Sequence, residues 1–362
     1  MNNKTTSGHQ ISGSFAGTGS WRQILSQSIT GPEALSQYFG IEKDPLQKIL
    51  SMYPARINPY YLNLIKKKGD GIYRQAVPDI REITNEKGFE DPLKEEDLSP
   101  VPGLTHKYPD RVLFLVSSRC AMYCRFCNRK RKVGRSSMVT GETLKEGMSY
   151  IRHTKGIRDV LLSGGDPLLL DNRKLNDLLT GLRAIPHVEI IRIGTRVPCT
   201  LPQRITPHLV KLLKAFHPLY INTHFNHPDE ITPEVARACA RLADAGIPLG
   251  CQTVLLKGVN DDPFIIRTLM QKLLSIRVRP YYLFQADLAK GTAHFWTPLK
   301  QGLEILSKLQ GHTSGLCMPH FAVDLPGGGG KVLLLPENVS RTDGENFLLT
   351  NYKGETFLYP EE

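Results

Sequence analysis

Three cysteines crowd into eight residues, Cys120-Ala-Met-Tyr-Cys124-Arg-Phe-Cys127. A thiolate is a strong metal ligand, and C-x3-C-x2-C on one short stretch reads as metal binding, not as a disulfide framework. Three thiolates are one short of a closed tetrahedral zinc site, and one short of a [4Fe–4S] cube held at every corner. Two readings stay open on the residues alone. A structural zinc would take a distant histidine, His106 or His153, as its fourth ligand. A cube would leave one iron open to a substrate or cofactor, and the aromatic Phe126 before the last cysteine and the apolar run just upstream favour it. Cys199, Cys239, Cys251 and Cys317 are scattered and read as small buried hydrophobes.

A second stretch with chemical potential is Asp324-Leu-Pro-Gly327-Gly-Gly-Gly330-Lys331. It is not a phosphate loop, because Leu325 stands where the first glycine of G-x4-G-K-[ST] belongs and Val332 follows the lysine. Four glycines before a lysine predict a mobile tether. That suits a lysine that bonds pyridoxal phosphate, yields it to a substrate amine and takes it back. Ser163-Gly164-Gly165-Asp166-Pro167 closes another apolar run, and paired glycines there let backbone approach a ligand. His224 and Gln252 lie at or near the ends of later apolar runs. Taken alone, each reads first as a satisfied structural residue.

The elements that must position these residues are legible from periodicity. Short apolar runs recur at Val112–Val116, Val160–Ser163, Glu189–Ile193, Leu219–His224, Leu249–Leu255 and Arg279–Phe284. Between them lie helical stretches such as Leu144–Ile151, Leu175–Leu182, Leu209–Phe216, Pro233–Ala245, Ile265–Ile276 and Gln301–Leu309. Strand then helix, repeated six times, predicts an α/β fold with a parallel sheet, either doubly wound or a full or partial barrel. In each of these, ligands gather at the carboxyl ends of the strands, where the cysteine loop falls. Residues 1–19 read as a disordered tail and 20–110 as a helical region followed by a polar, proline-spaced linking arm. Residues 111–325 read as the strand–helix domain, and 326–362 as a C-terminal segment carrying Lys331.

The chain has 362 residues, 40% hydrophobic and 22% charged, ample for a core without disulfide staples. No run nears the roughly 18 apolar residues of a membrane helix. The polar start lacks an apolar leader segment, so a cytoplasmic protein is expected. The net charge of +11 is spread along the chain, with one dense run from Arg125 to Arg135. A cavity built for phosphates and carboxylates explains part of that excess better than nucleic acid does.

The C-x3-C-x-aromatic-C loop, Cys120 to Cys127, resembles the signature of radical S-adenosylmethionine enzymes, and the string Cys124 to Arg131, Cys-Arg-Phe-Cys-Asn-Arg-Lys-Arg, resembles the lysine 2,3-aminomutase family within them. The resemblance runs from about Trp21 to Pro336. It implies a partial (β/α)6 barrel with an N-terminal helical extension and a short C-terminal segment. The implied cofactors are a [4Fe–4S] cluster on Cys120, Cys124 and Cys127, S-adenosyl-L-methionine, and pyridoxal 5'-phosphate on Lys331. Gly164, Gly165, Asp166, His224 and Gln252 match S-adenosylmethionine positions. Lys107, Tyr108 and Arg111 fall where the family gathers residues around pyridoxal phosphate, although Lys107 stands where an arginine is familiar. Arg129 matches the arginine that holds the substrate carboxylate. Asp287 and Asp324 match the two aspartates that receive the terminal ammonium of lysine.

The implied activity is conversion of L-lysine to β-lysine through a pyridoxal aldimine and a 5'-deoxyadenosyl radical, fed by an electron donor such as flavodoxin or ferredoxin. A related aminomutase supplying β-lysine for elongation factor P, or acting on another amino acid, is the same-class alternative. A zinc-bearing nucleic-acid-binding protein is the different-class one. No cysteine follows Cys317, so the C-terminal zinc cluster of clostridial-type members is not expected, and homo-oligomer assembly stays open. Phe284 replaces a tyrosine familiar three residues before the first aspartate.

Overall fold

The computed structural model describes residues 19–341 and 346–360. The expected tail therefore lies, up to residue 18, outside the described residues. Six short helices open the described residues: α1 (Trp21–Ser26), α2 (Pro32–Phe39), α3 (Lys43–Met52), α4 (Pro59–Leu62), α5 (Gly71–Ala76) and α6 (Arg81–Thr84). Strands β1 (Leu104–Tyr108) and β2 (Arg111–Ser117) follow. Then come α7 (Gly141–His153), β3 (Asp159–Gly164), α8 (Asn172–Arg183), β4 (Ile190–Gly194), α9 (Val197–Thr200), α10 (Pro207–Lys214) and β5 (Leu219–His224). The series continues with α11 (Pro233–Asp244), β6 (Leu249–Leu255), α12 (Pro263–Ser275), β7 (Arg279–Gln285), α13 (Leu299–Leu309) and β8 (His320–Leu325). Strand β9 (Gly330–Leu334) precedes a separate antiparallel sheet of β10 (Val339–Arg341), β11 (Asn346–Thr350) and β12 (Thr356–Pro360).

The nine strands β1 to β9 pair in chain order. Strands β2 to β8 run parallel, and β1 and β9 add antiparallel edges. Each of β2 to β7 is followed by a helix, so the six expected repeats are present. The sheet extends past both expected boundaries, since β1 starts before residue 111 and β9 lies beyond 325. Both edge strands escaped the sequence reading for one reason: Leu104–Tyr108 and Gly330–Leu334 carry too few alternating apolar residues to stand out beside the core strands. The two edges approach where the Lys331 backbone N–H donates to the Tyr108 hydroxyl (3.1 Å).

Local sequence chemistry starts the crossover helices. Thr206-Pro207, Thr232-Pro233 and Asp262-Pro263 each supply a side-chain cap to the backbone and a proline in the first turn. Along β3 to β6 the residues alternate strictly. Val160, Leu162, Ile191, Ile193, Ile221 and Cys251 are buried in the core that also holds the helix residues Leu175, Leu179, Leu209, Leu242 and Leu269. The intervening residues face the barrel interior and stay partly accessible. The four scattered cysteines are buried, as expected.

Candidate active site

The cysteine loop leaves the carboxyl end of β2 and is fixed from two sides. At its base, Gly165 N–H donates to the Ser117 carbonyl (2.6 Å) and Asp166 N–H to the Arg119 carbonyl (2.7 Å). Gly164 has φ +126, a region that favours glycine. A Cβ at either glycine would run into the backbone of Ser117 or Arg119. The paired glycines thus let β3 end directly against the loop. On the far side, Arg125 is buried and forks onto Glu82 of α6 (2.9 and 2.5 Å), and Lys130 joins the same carboxylate at 2.8 Å. Burial pushes the Glu82 carboxyl up, but the two cations outweigh it and hold it below the usual range. Lys130, desolvated, is pulled down to about 8.

Burial, then the charge of Asp166 and the neighbouring thiols, pushes the Cys120 thiol well up, and burial with Cys124 pushes the Cys127 thiol to about 11. Buried thiols ionise readily only when a cation stabilises their charge, which is the chemistry a metal supplies. Arg196, just beyond β4, donates to Cys124 Sγ (2.8 Å) and pairs with buried Glu230 (2.7 Å). Among the described residues its Nε is buried without a partner, an orphaned donor beside Cys124 that fits a ligand there. Among the described residues no trio of His, Cys, Asp or Glu converges on one point as a single metal ion requires. A cube gives each thiolate its own iron, so it needs no such convergence. The two histidines that might have completed a zinc site are engaged elsewhere: His106 with Tyr150 (2.9 Å), His153 with the Ser149 carbonyl (2.8 Å).

Asp166 does not offer a free carboxylate. It accepts from Thr195 Oγ1 (2.7 Å) and from the backbone N–H groups of Arg196 (2.7 Å), Val197 (3.1 Å) and Leu168 (3.0 Å). It therefore sets the turn that delivers Arg196. Inside the barrel, the register puts His224, Gln252 and Tyr282 side by side across β5, β6 and β7. His224 packs near Phe126 of the cysteine loop (ring centroids 5.5 Å) and bonds Asn226 Oδ1 through Nε2 (2.9 Å). Burial, then the charge of Arg196, lowers it to about 3, so it stays neutral. Gln252 bonds the Tyr281 hydroxyl.

The second group forms where β1 meets β9. The Lys331 ammonium lies 3.0 Å from Asp324 Oδ2 and 4.0 Å from the Phe284 ring centroid, with Tyr282 at 5.1 Å. Arg111 stacks on Tyr108 (4.0 Å), and Lys107 stands near the same ring (5.8 Å). This corrects the expected tether. The glycines make a tight connection between β8 and β9, and Lys331 sits within β9 opposite Asp324 in register. Positive φ at Gly327, Gly328 and Gly330 is what this connection requires. Phe284, the departure from the familiar tyrosine, gives Lys331 a ring face instead of a hydroxyl.

Between the two groups lie the remaining expected residues. Asp287 accepts from Asn128 Nδ2 (2.7 Å). Burial raises its carboxyl to about 6, Asp324 adding to the shift and Asn128 and Lys331 opposing it. Arg129 is held by Glu95 through Nε (3.1 and 2.9 Å) and Nη2 (2.5 Å), and Nη1 reaches Ser163 Oγ at 3.4 Å. Sequence reasoning missed Arg196, Glu230, Glu82, Asn128 and Glu95. Arg196 was detectable as a cation three residues past an apolar run. Glu82 and Glu95 sit in what read as a polar arm, and nothing in their local pattern marks them as buried.

The comparisons with known proteins agree with this geometry. Residues 114–266 match the Radical SAM superfamily and residues 306–362 a family described as Lysine-2,3-aminomutase. The chain is 51% identical over 347 residues to an L-lysine 2,3-aminomutase of Methanococcus maripaludis, covering 93% of this chain and 80% of the relative. It is 48% identical to the L-lysine 2,3-aminomutase of Clostridium subterminale, covering 94% and 84%. A glutamate 2,3-aminomutase of Clostridioides difficile is 43% identical, covering 93% and 82%.

Proposed function

The chain belongs to the lysine 2,3-aminomutase family of radical S-adenosylmethionine enzymes, and from that premise we propose that it isomerises L-lysine to β-lysine. The observation that carries lysine over glutamate is the pair of carboxylates, Asp287 and Asp324, that share one electrostatic environment with Lys331. A terminal ammonium is matched by two acids, and a terminal carboxylate is repelled by them.

When bound, the cluster with S-adenosylmethionine supplies a radical able to remove an unactivated hydrogen, and pyridoxal phosphate supplies a carbonyl that carries the migrating amine. Cys120, Cys124 and Cys127 would hold the cluster, and Arg196, which donates to Cys124 Sγ, would steady the middle thiolate. Gly164 and Gly165 keep the loop's base in place and would let backbone approach S-adenosylmethionine. Neutral His224 and Gln252, side by side on the barrel wall, would contact S-adenosylmethionine. Lys331 would hold pyridoxal phosphate through its amine, and Lys107, Tyr108 and Arg111, gathered beside it, would hold the cofactor's phosphate. Arg129 grips the substrate carboxylate, and Asp287 and Asp324 receive its far ammonium. With both ends fixed, the reacting carbon is presented at one place in the barrel, where proximity contributes most of what the protein adds.

The electron comes from a low-potential carrier such as flavodoxin or ferredoxin, and the enzyme works in the cytoplasm. No helix among the described residues is long and apolar enough to cross a membrane. The test is anaerobic incubation of reconstituted protein with lysine, arginine, glutamate or alanine, with products separated by chromatography. β-Lysine from lysine alone is the expected result; β-glutamate as the main product would overturn the reading.

A further inference from the structure

Arg129 carries five N–H donors on a planar fork. Glu95 occupies its side-on edge, Nε together with Nη2, and Ser163 takes one Nη1 hydrogen. Among the described residues one hydrogen on each of Nη1 and Nη2 is left without a partner, and the end-on edge between these two nitrogens is the geometry that grips a carboxylate with two parallel bonds. The Glu95 side chain is 10% exposed, so this ion pair is not a surface contact formed and broken by solvent. Nor is it required to anchor the loop, because Arg125 and Lys130 already do so on Glu82.

The segment bearing Glu95 is itself tied to the rest of the substrate site. The Pro92 carbonyl accepts from Gly327 N–H (3.0 Å) in the turn before Lys331, and Phe89 N–H donates to the Leu288 carbonyl (2.8 Å) beside Asp287. Adjacent residues of one loop then address the two ends of the substrate: Asn128 steadies Asp287, and Arg129 is steadied by Glu95.

We propose that Glu95 is a positioning residue, holding Arg129 by its side-on edge so that the end-on edge meets the carboxylate of the amino-acid substrate. The proposal rests on the reading of Arg129 given above. It is tested with full-length protein, reconstituted anaerobically with all three cofactors, in the variants Glu95→Gln, Glu95→Asp and Arg129→Met. Glu95→Asp preserves the charge but withdraws the carboxylate by one methylene, so Arg129 stays neutralised while its orientation is lost. Binding of L-lysine and of L-lysinamide, which lacks the carboxylate charge, is followed by spectral titration, and KM and kcat are measured for lysine.

Both Glu95 variants should weaken lysine binding and raise KM by about 10- to 100-fold, with kcat changed by less than about threefold and lysinamide binding unchanged. Equal losses for lysine and lysinamide, or no loss for either, would overturn the proposal. If Arg129→Met weakens lysine binding and the Glu95 variants do not, Glu95 alone loses its role. If Arg129→Met also leaves lysine binding intact, the carboxylate assignment itself fails and the proposal falls with it.

Discussion

Asp287→Asn separates what this site needs for function from what the fold prefers. In the protein without cofactors or substrate, burial and neighbouring Asp324 lift the Asp287 carboxyl from 3.8 to about 6, against the weaker pull of Asn128 and Lys331. The raised value means that the folded state holds its proton more tightly than the unfolded chain does. Stability from this group is therefore fully present below about pH 4 and is lost as pH rises through 6. At 1.36 kcal/mol for each unit, the cost at pH 8 is on the order of 3 kcal/mol, and roughly half of it develops between pH 5 and 8. Asparagine keeps an acceptor for Asn128 and carries no charge. Urea unfolding of the cofactor-free proteins should thus find Asp287→Asn more stable than wild type, by a margin that widens with pH. Lysine binding should show the reverse: wild-type affinity rises as pH climbs through about 6, and the variant binds about 10- to 100-fold more weakly at pH 8 with no such rise. A stability margin independent of pH, or narrowing as pH rises, would refute the reasoning.

Lys331→Ala should abolish turnover and the pyridoxal absorption band while leaving the iron–sulfur absorption unchanged, checked by anaerobic spectroscopy. Replacing any one of Cys120, Cys124 or Cys127 with alanine should do the converse, losing iron and sulfide while retaining pyridoxal phosphate. Glu82→Gln leaves Arg125 and Lys130 as underpaired buried cations; it should cost about 3–5 kcal/mol in unfolding measurements and lower iron content, because the loop's anchor is lost.

Much of this was legible before any coordinates. Cys120, Cys124 and Cys127 announce themselves by spacing within one loop, and the six core strands by periodic burial, because both signals are local. What escaped is non-local. The expected tether before Lys331 is a hairpin connection because β9 pairs with β8, a partnership that no window of sequence displays. Asp166 matches an S-adenosylmethionine position, yet in the fold its oxygens accept from Leu168 and from Thr195, Arg196 and Val197, the last three some thirty positions later in the chain. Glu82 and Glu95 look like solvated charges in an acidic arm until Arg125 and Arg129 are brought to them across the fold. Buried ion pairs of this kind are set by tertiary partners, and neither partner's neighbours reveal the match.

The central claim is that the thiol trio and Lys331 serve one chamber, acting on a single bound lysine. Lysine deuterated at Cβ, incubated anaerobically with the reconstituted enzyme and reductant, tests it directly. Deuterium should appear at the 5' carbon of recovered S-adenosylmethionine, only when pyridoxal phosphate is present and Lys331 intact. Absence of that transfer in the complete mixture, or transfer undiminished in Lys331→Ala, would contradict the account.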